Sequence, residues 1–210
     1  MPLQNRVTPY GDVVALPGRG LMMGNRGILH DDSRRIVRPF QVRRWIACRL
    51  EFRGRKRAVM QPHRYTELFF LDEAAAFSAG HRPCAECRRE VYQRFRELWI
   101  ACHGGSGKAD DIDDRLHVER IARRTKRTYG TATDNLPNGT FVALDDRAWL
   151  VWGEALFAWS DSGYIERRSR PGGHVEVLTP PSIVRIFEAG YRPAIHPSHA
   201  RPTLNRTPNR

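Results

Sequence analysis

Alternating and helical patterns of apolar side chains mark out most of the elements expected in this chain. Residues 44–52, Arg-Trp-Ile-Ala-Cys-Arg-Leu-Glu-Phe, alternate large apolar with polar positions and predict a strand. Arg53-Gly54-Arg55 offers a turn, with residues 57–60 as the return strand. A further extended segment at 65–71 leads to a helix at Asp72, a good N-cap, with Glu73 in the first turn and Gly80 as the stop. Residues 86–101 carry the clearest helical stripe, formed by Val91, Phe95, Leu98, Trp99 and Cys102, while Arg88, Arg89, Arg94 and Arg96 line the other face.

His103-Gly104-Gly105-Ser106-Gly107-Lys108 breaks the pattern and is the expected domain boundary. An acidic start at Asp110 opens a helix running toward residue 124. Strands at 141–144, 148–152 and 156–159 form an expected antiparallel meander, with tight turns at Asp145-Asp146 and Gly153-Glu154. A strand at 174–178 follows, then a helix capped by Thr179 and ended by Gly190. Residues 1–40 read as a Gly- and Arg-rich arm with one short strand at 12–16, and residues 197–210 as a basic disordered tail. The class is α+β, with a small metal-stabilised module at 41–103 followed by an α+β domain at 110–196 that holds the meander between flanking helices.

Composition adds a soluble, cytoplasmic expectation. The hydrophobic fraction is 40%, no apolar run reaches membrane-spanning length, and residues 1–6 lack a signal-peptide pattern. The net charge of +12 and pI near 10.4 suit a polyanionic partner, nucleic acid and DNA first. Lys56, Lys108 and Lys126 are the only lysines, so the charge is almost entirely arginine, suited to bidentate phosphate contacts. Scattered arginine also makes an ordinary solvated face. Arg88, Arg89, Arg123, Arg124, Lys126 and Arg127, with Tyr129 beside them, are the expected nucleic-acid contacts. The Gly-Gly-Ser-Gly-Lys run is not a phosphate loop, because the required earlier glycine is replaced by Cys102.

Four cysteines in a chain of this class read as thiols or metal ligands. Cys84 and Cys87 stand at i and i+3, a spacing that presents two sulfurs to one ion, zinc first. A redox dithiol or two ordinary buried cysteines would use the same letters. The surrounding stretch, Leu68-Phe69-Phe70-Leu71-Asp72-Glu73-Ala74-Ala75-Ala76-Phe77-Ser78-Ala79-Gly80-His81-Arg82-Pro83-Cys84-Ala85-Glu86-Cys87, resembles the second half of the Ada-type zinc-binding domain. The likeness covers about twenty residues. It implies a four-cysteine zinc site, and in the best-known members one thiolate accepts a methyl group from a DNA phosphotriester. This chain departs from the family in having Cys48 alone where an earlier cysteine pair is normal, so Cys48 is the expected third ligand. His63 is the first choice for the fourth, with His30 and Cys102 as rivals and His81 behind them. The alkyltransferase signature Pro-Cys-His-Arg is absent, so methyl-transfer repair is not expected.

Other features carry competing readings. Asp113 and His117 share a helical face and suit general acid–base or metal chemistry in a hydrolase or nuclease-like enzyme, although acidic residues in a first turn also simply complement the helix dipole. Ala79-Gly80-His81-Arg82-Pro83 echoes in Ala189-Gly190-Tyr191-Arg192-Pro193, with His196 and His199 standing where the first copy has its cysteine pair. A degenerate duplicate with a second metal site would give this pattern, and a shared helix stop explains the same letters more simply. Trp149, Trp152, Trp159 and Tyr164 suit a base-stacking platform or, more simply, a core.

Overall fold

A computed structural model describes residues 1–54, 58–123 and 125–201 as an α+β structure with four α-helices among them. The first sheet joins β1 (Arg6–Val7), β2 (Val13–Val14), β3 (Met22–Asn25), β4 (Ile46–Arg49), β5 (Leu68–Phe70) and β6 (Arg82–Pro83) in the order β2-β1-β5-β3-β4-β6. The β1–β5 and β4–β6 pairs are parallel and the others antiparallel. Residues 1–40 are therefore not an arm. They supply three strands, and the Asn5 carbonyl accepts from the Phe69 amide at 2.8 Å. Gly24 lets β3 and β4 close: a Cβ there would stand 2.2 Å from the Ile46 carbonyl oxygen.

The strand predicted at 44–52 is present as β4, but its antiparallel partner is β3, with Cys48 opposite Met23. Residues 55–57 of the expected return strand lie outside the described residues, and 58–60 are not strand. The helix predicted at Asp72 is α1 (Glu73–Ser78), and the Asp72 carboxylate accepts from the Ala75 amide at 2.8 Å as a cap. The arginine-faced helix is α2 (Arg89–His103), and the acidic one is α3 (Ala109–Arg120). Beyond α3 the chain turns through the short hairpin β7 (Ile121–Ala122) and β8 (Thr125–Lys126) rather than continuing helical.

The second sheet contains β9 (Tyr129–Ala132), β10 (Phe141–Leu144), β11 (Arg147–Trp152), β12 (Ala155–Ser160), β13 (Gly163–Ser169) and β14 (His174–Val177), all antiparallel, ordered β13-β12-β11-β10-β14-β9. Asp145 and Asp146 both take positive φ, the geometry that a two-residue hairpin turn demands. The last helix, α4 (Pro181–Glu188), has Pro180 rather than Thr179 at its N-cap; the Thr179 hydroxyl instead accepts from the Phe141 amide at 2.8 Å and ties β10 to the helix entry.

The apolar clusters run across the expected boundary at 103–110. Phe77 of α1, Phe95 and Trp99 of α2, Ile112 and Leu116 of α3 and Ile183, Ile186 and Phe187 of α4 form one cluster. Leu71, Ala74 and Ala75 pack with Phe141, Leu150, Phe157 and Tyr164 of the second sheet in another. A module at 41–103 separate from a domain at 110–196 is thus not what the packing shows, because each half completes the other's core. Residues 197–200 are also structured, as a 3₁₀ turn whose Ser198 hydroxyl accepts from the Tyr164 amide at 2.7 Å; residues 202–210 of the expected tail lie outside the described residues. Among the described residues no helix is long and apolar enough to cross a membrane.

Candidate metal centre

Cys48 sits on β4, and Cys84 and Cys87 lie in the turn between β6 and α2. Pairing of β4 with β6 (Ile46 opposite Arg82, Ala47 opposite Pro83) carries the turn to Cys48, and the Cys84 amide donates to the Ala47 carbonyl at 3.0 Å. The three sulfurs lie within 4.8 Å of one another and all three cysteines are buried. A tetrahedral ion with zinc–sulfur bonds of about 2.3 Å holds its sulfurs about 3.8 Å apart, so small movements bring this triad onto one ion. The cluster can hold a metal ion.

Its electrostatics fit a cation. The Cys48 thiol, donating toward Cys84 and Cys87, is pushed well above the ordinary range. Cys84 is pulled down to about 5, first by that hydrogen bond and then, against the cost of burial, by the Cys87 and Glu86 amides aimed at its sulfur. Cys87 is lowered by the Cys48 thiol and the Arg49 amide. Thiolates already stabilised by backbone N–H groups are ready ligands.

The expected fourth ligand is not among them. His63 is exposed, in a positive-φ turn, and outside the cluster. The segment before it approaches His30 instead: the buried His30 ring contacts the Gln61 carbonyl through Nε2 at 3.2 Å and the Thr66 hydroxyl through Nδ1 at 2.7 Å. Both rivals are excluded by position, His30 by these contacts and Cys102 by its place on α2 beside the Arg185 carbonyl. His81 is buried against Phe70 and Trp45, with Nε2 accepting from Arg26 at 3.3 Å. Among the described residues the group is the three cysteines alone, beside a cavity of about 170 Å³ lined by Asn25, Tyr65 and Glu86 among others.

The expected basic contacts divide. Arg89, Arg123 and Arg127 are exposed, while Arg124 lies outside the described residues. Arg88 does not face solvent. Its guanidinium is buried and donates to the Glu73 carboxylate at 2.6 Å, because the turn after Cys87 directs it under α1. Lys126 is half-buried and its ammonium donates to the Ser78 carbonyl, so it is not a surface contact either. Asp113 and His117 are not paired as acid and base. The Asp113 carboxylate is clamped by Arg82 at 2.9 and 2.7 Å, while the His117 ring rests edge-on against Phe40 and contacts Arg120 at 3.2 Å. Trp149 and Tyr164 are buried in apolar clusters of the second sheet, Tyr164 with Ala74 and Ala75 of α1 and Trp149 with Val184 of α4, and present no stacking platform.

A second constellation has no signature in the sequence. Arg26, Arg120, Lys126 and Trp45 line a cavity of about 310 Å³ between the first sheet and the end of α3. Both guanidinium groups pack on the Trp45 indole, 4.0 and 3.9 Å from a ring centroid. Each is one arginine among many in the chain, and only folding distinguishes them.

No family model, no curated protein and no solved structure matches this chain.

Proposed function

We propose that this is a zinc-binding protein whose metal is structural and whose exposed arginines contact nucleic acid, DNA in the first place. The convergence of the Cys48, Cys84 and Cys87 sulfurs within 4.8 Å carries the reading. Three soft thiolate donors favour zinc over the hard cations that prefer oxygen. The order of aromatic strand, Ala-rich helix and paired cysteines supports an Ada-like metal module, with Cys48 standing for the earlier pair. A zinc held here would clamp β4 to the turn ahead of α2, where the first sheet otherwise relies on a two-residue edge strand. The excess of basic over acidic side chains, with Arg89, Arg123 and Arg127 exposed, supports the nucleic-acid half of the reading.

Metal analysis of the purified protein tests the first half. Stoichiometric zinc is expected in the wild type, lost with unfolding or marked destabilisation in Cys84→Ser and Cys48→Ser, and unaffected in His63→Ala. Metal retained by Cys84→Ser would overturn the site. The second half predicts DNA binding that weakens steeply and linearly in a plot of log affinity against log salt; a salt-independent affinity would refute it.

A second reading is favoured by one observation: the cavity beside the cysteines leaves room for a water as fourth ligand. The metal would then supply a polarised water for hydrolysis of a phosphodiester. Three thiolates oppose this by donating negative charge to the ion and weakening its hold on hydroxide. A metal-dependent nuclease activity abolished by chelation would favour it, and its absence in zinc-loaded protein would remove it.

A further inference from the structure

The cavity beside Trp45 gathers three basic side chains with too few acids. Arg26 and Arg120 are each 1% exposed, and neither lies in an ion pair among the described residues. Arg26 donates to His81 through Nε and to the Gly11 carbonyl through Nη1, leaving Nη2 buried without a hydrogen-bond partner. Arg120 donates to the Gly80 carbonyl at 2.8 Å and the Arg43 carbonyl at 2.5 Å, leaving its Nε buried and unpartnered. Lys126 spends one donor on the Ser78 carbonyl and keeps two. These contacts anchor the three cations to backbone carbonyls and hold them in place without neutralising them.

The arrangement is costly in its present form. Burial lowers Arg26 and Arg120 to about 9, and burial together with the two guanidinium groups lowers Lys126 to about 7. Among the described residues Asp12 is the one acid lining the cavity, and Asp113, which also acts on Arg120, is held by Arg82. His81 adds no positive charge of its own: burial, then Arg26 and Arg120, hold it neutral. Two guanidinium cations and a Lys126 amine that a bound anion would hold protonated face one carboxylate, and donors on Arg26 and Arg120 are left without partners. Exposed Arg38 also lines the cavity, so it reaches the surface.

We propose that this cavity binds a phosphate dianion, free or as a terminal phosphomonoester, through Arg26, Arg120 and Lys126. A dianion matches the uncompensated charge, and its oxygens can accept from several donors at once. A volume near 310 Å³ is far larger than the roughly 30 Å³ share of one water, which leaves room for the group that the phosphate esterifies. Trp45 is already covered by the two guanidinium groups, so recognition rests on the phosphate rather than on stacking. The proposal is independent of the cysteine cluster and of the nucleic-acid reading.

Calorimetric titration with inorganic phosphate at low ionic strength tests it, using the metal-replete wild type and Lys126→Gln, with folding checked by circular dichroism and zinc content measured in both. Saturable one-to-one binding is expected, weakened roughly ten- to hundredfold by Lys126→Gln, the loss of one charge-assisted hydrogen bond. Should Lys126→Gln fail to fold, the exposed Arg38→Gln substitutes for it, with a severalfold loss expected. No binding to the wild type, or equal binding by wild type and the folded variant, would overturn the proposal. Two further arms distinguish the sources: an oligonucleotide bearing a 5′-phosphate and the same strand with a 5′-hydroxyl. Phosphate displacing only the first assigns the site to a nucleic-acid end. Phosphate binding that neither strand disturbs assigns it to a small phosphorylated molecule.

Discussion

Arg88 and Arg89 are neighbours with the same side chain and opposite fates. The Arg88 guanidinium is buried 2.6 Å from Glu73, whose carboxylate also accepts from the Tyr191 hydroxyl at 2.7 Å and the Ala194 amide at 2.9 Å. Removing one partner of such a pair strands a buried charge, so Arg88→Ala is expected to cost about 3–5 kcal/mol. Arg89→Ala is expected to stay within about 0.5 kcal/mol, and urea denaturation of both variants reads the difference. His81 makes a prediction of opposite origin. Burial, then Arg26 and Arg120, hold its folded-state value well below the ordinary 6.5. The unfolded chain therefore binds the proton first. Stability from this residue is present above about 6.5 and falls as the pH drops below it. His81→Gln is expected to flatten the loss between about pH 6.5 and 5, and an unchanged slope would show that His81 is not its source.

At the scale of elements, the repeated Ala-Gly-X-Arg-Pro proves to be one helix stop used twice. Gly80 and His81 donate to the Phe77 and Ala76 carbonyls, and Gly190 and Tyr191 to those of Phe187 and Ile186, the same Schellman pattern after α1 and α4. Among the described residues no second group of metal ligands follows the second copy: the His196 and His199 rings contact Ser198 and the His196 carbonyl. The two glycines nevertheless differ. Both have positive φ, but a Cβ at Gly80 would stand 2.4 Å from the Arg120 side chain, whereas at Gly190 it meets nothing within 4 Å. Gly190→Ala is expected to cost about 1 kcal/mol from backbone strain alone. Gly80→Ala is expected to cost more, and to weaken phosphate binding by displacing Arg120. Equal melting temperatures for the two would contradict this.

The whole molecule is held together at the start of α1. Asp72 caps the helix and accepts from the Tyr164 hydroxyl at 2.6 Å and the His196 amide at 2.9 Å, while Glu73 binds Arg88, Tyr191 and Ala194. Two adjacent carboxylates thus join the first sheet's helix, α2, the second sheet and the C-terminal segment. With α1, α2, α3 and α4 sharing one apolar cluster, the metal-replete protein is expected to unfold in a single transition, seen alike by far-ultraviolet circular dichroism and tryptophan fluorescence. Two separated transitions would show that the halves on either side of residues 103–108 are independent after all.

Local patterning in the sequence determined the α+β class, the Asp72 cap, α2, the Asp145-Asp146 turn and the meander, because each rests on contacts between near neighbours. The spacing of Cys84 and Cys87 likewise marked the turn that presents two sulfurs. Tertiary structure decided the rest. The two-residue strands β1, β2 and β6 of the first sheet are too short for alternation to show, and its parallel pairings join segments distant in the chain. That pairing brought Cys48 to the cysteine turn, while packing between other distant segments left His63 outside, buried Arg88 against Glu73 and placed Arg26, Arg120 and Lys126 around one cavity with Trp45. Charge and residue type are properties of a sequence; which charges lose their water, and which of them meet, depends on how distant segments pack.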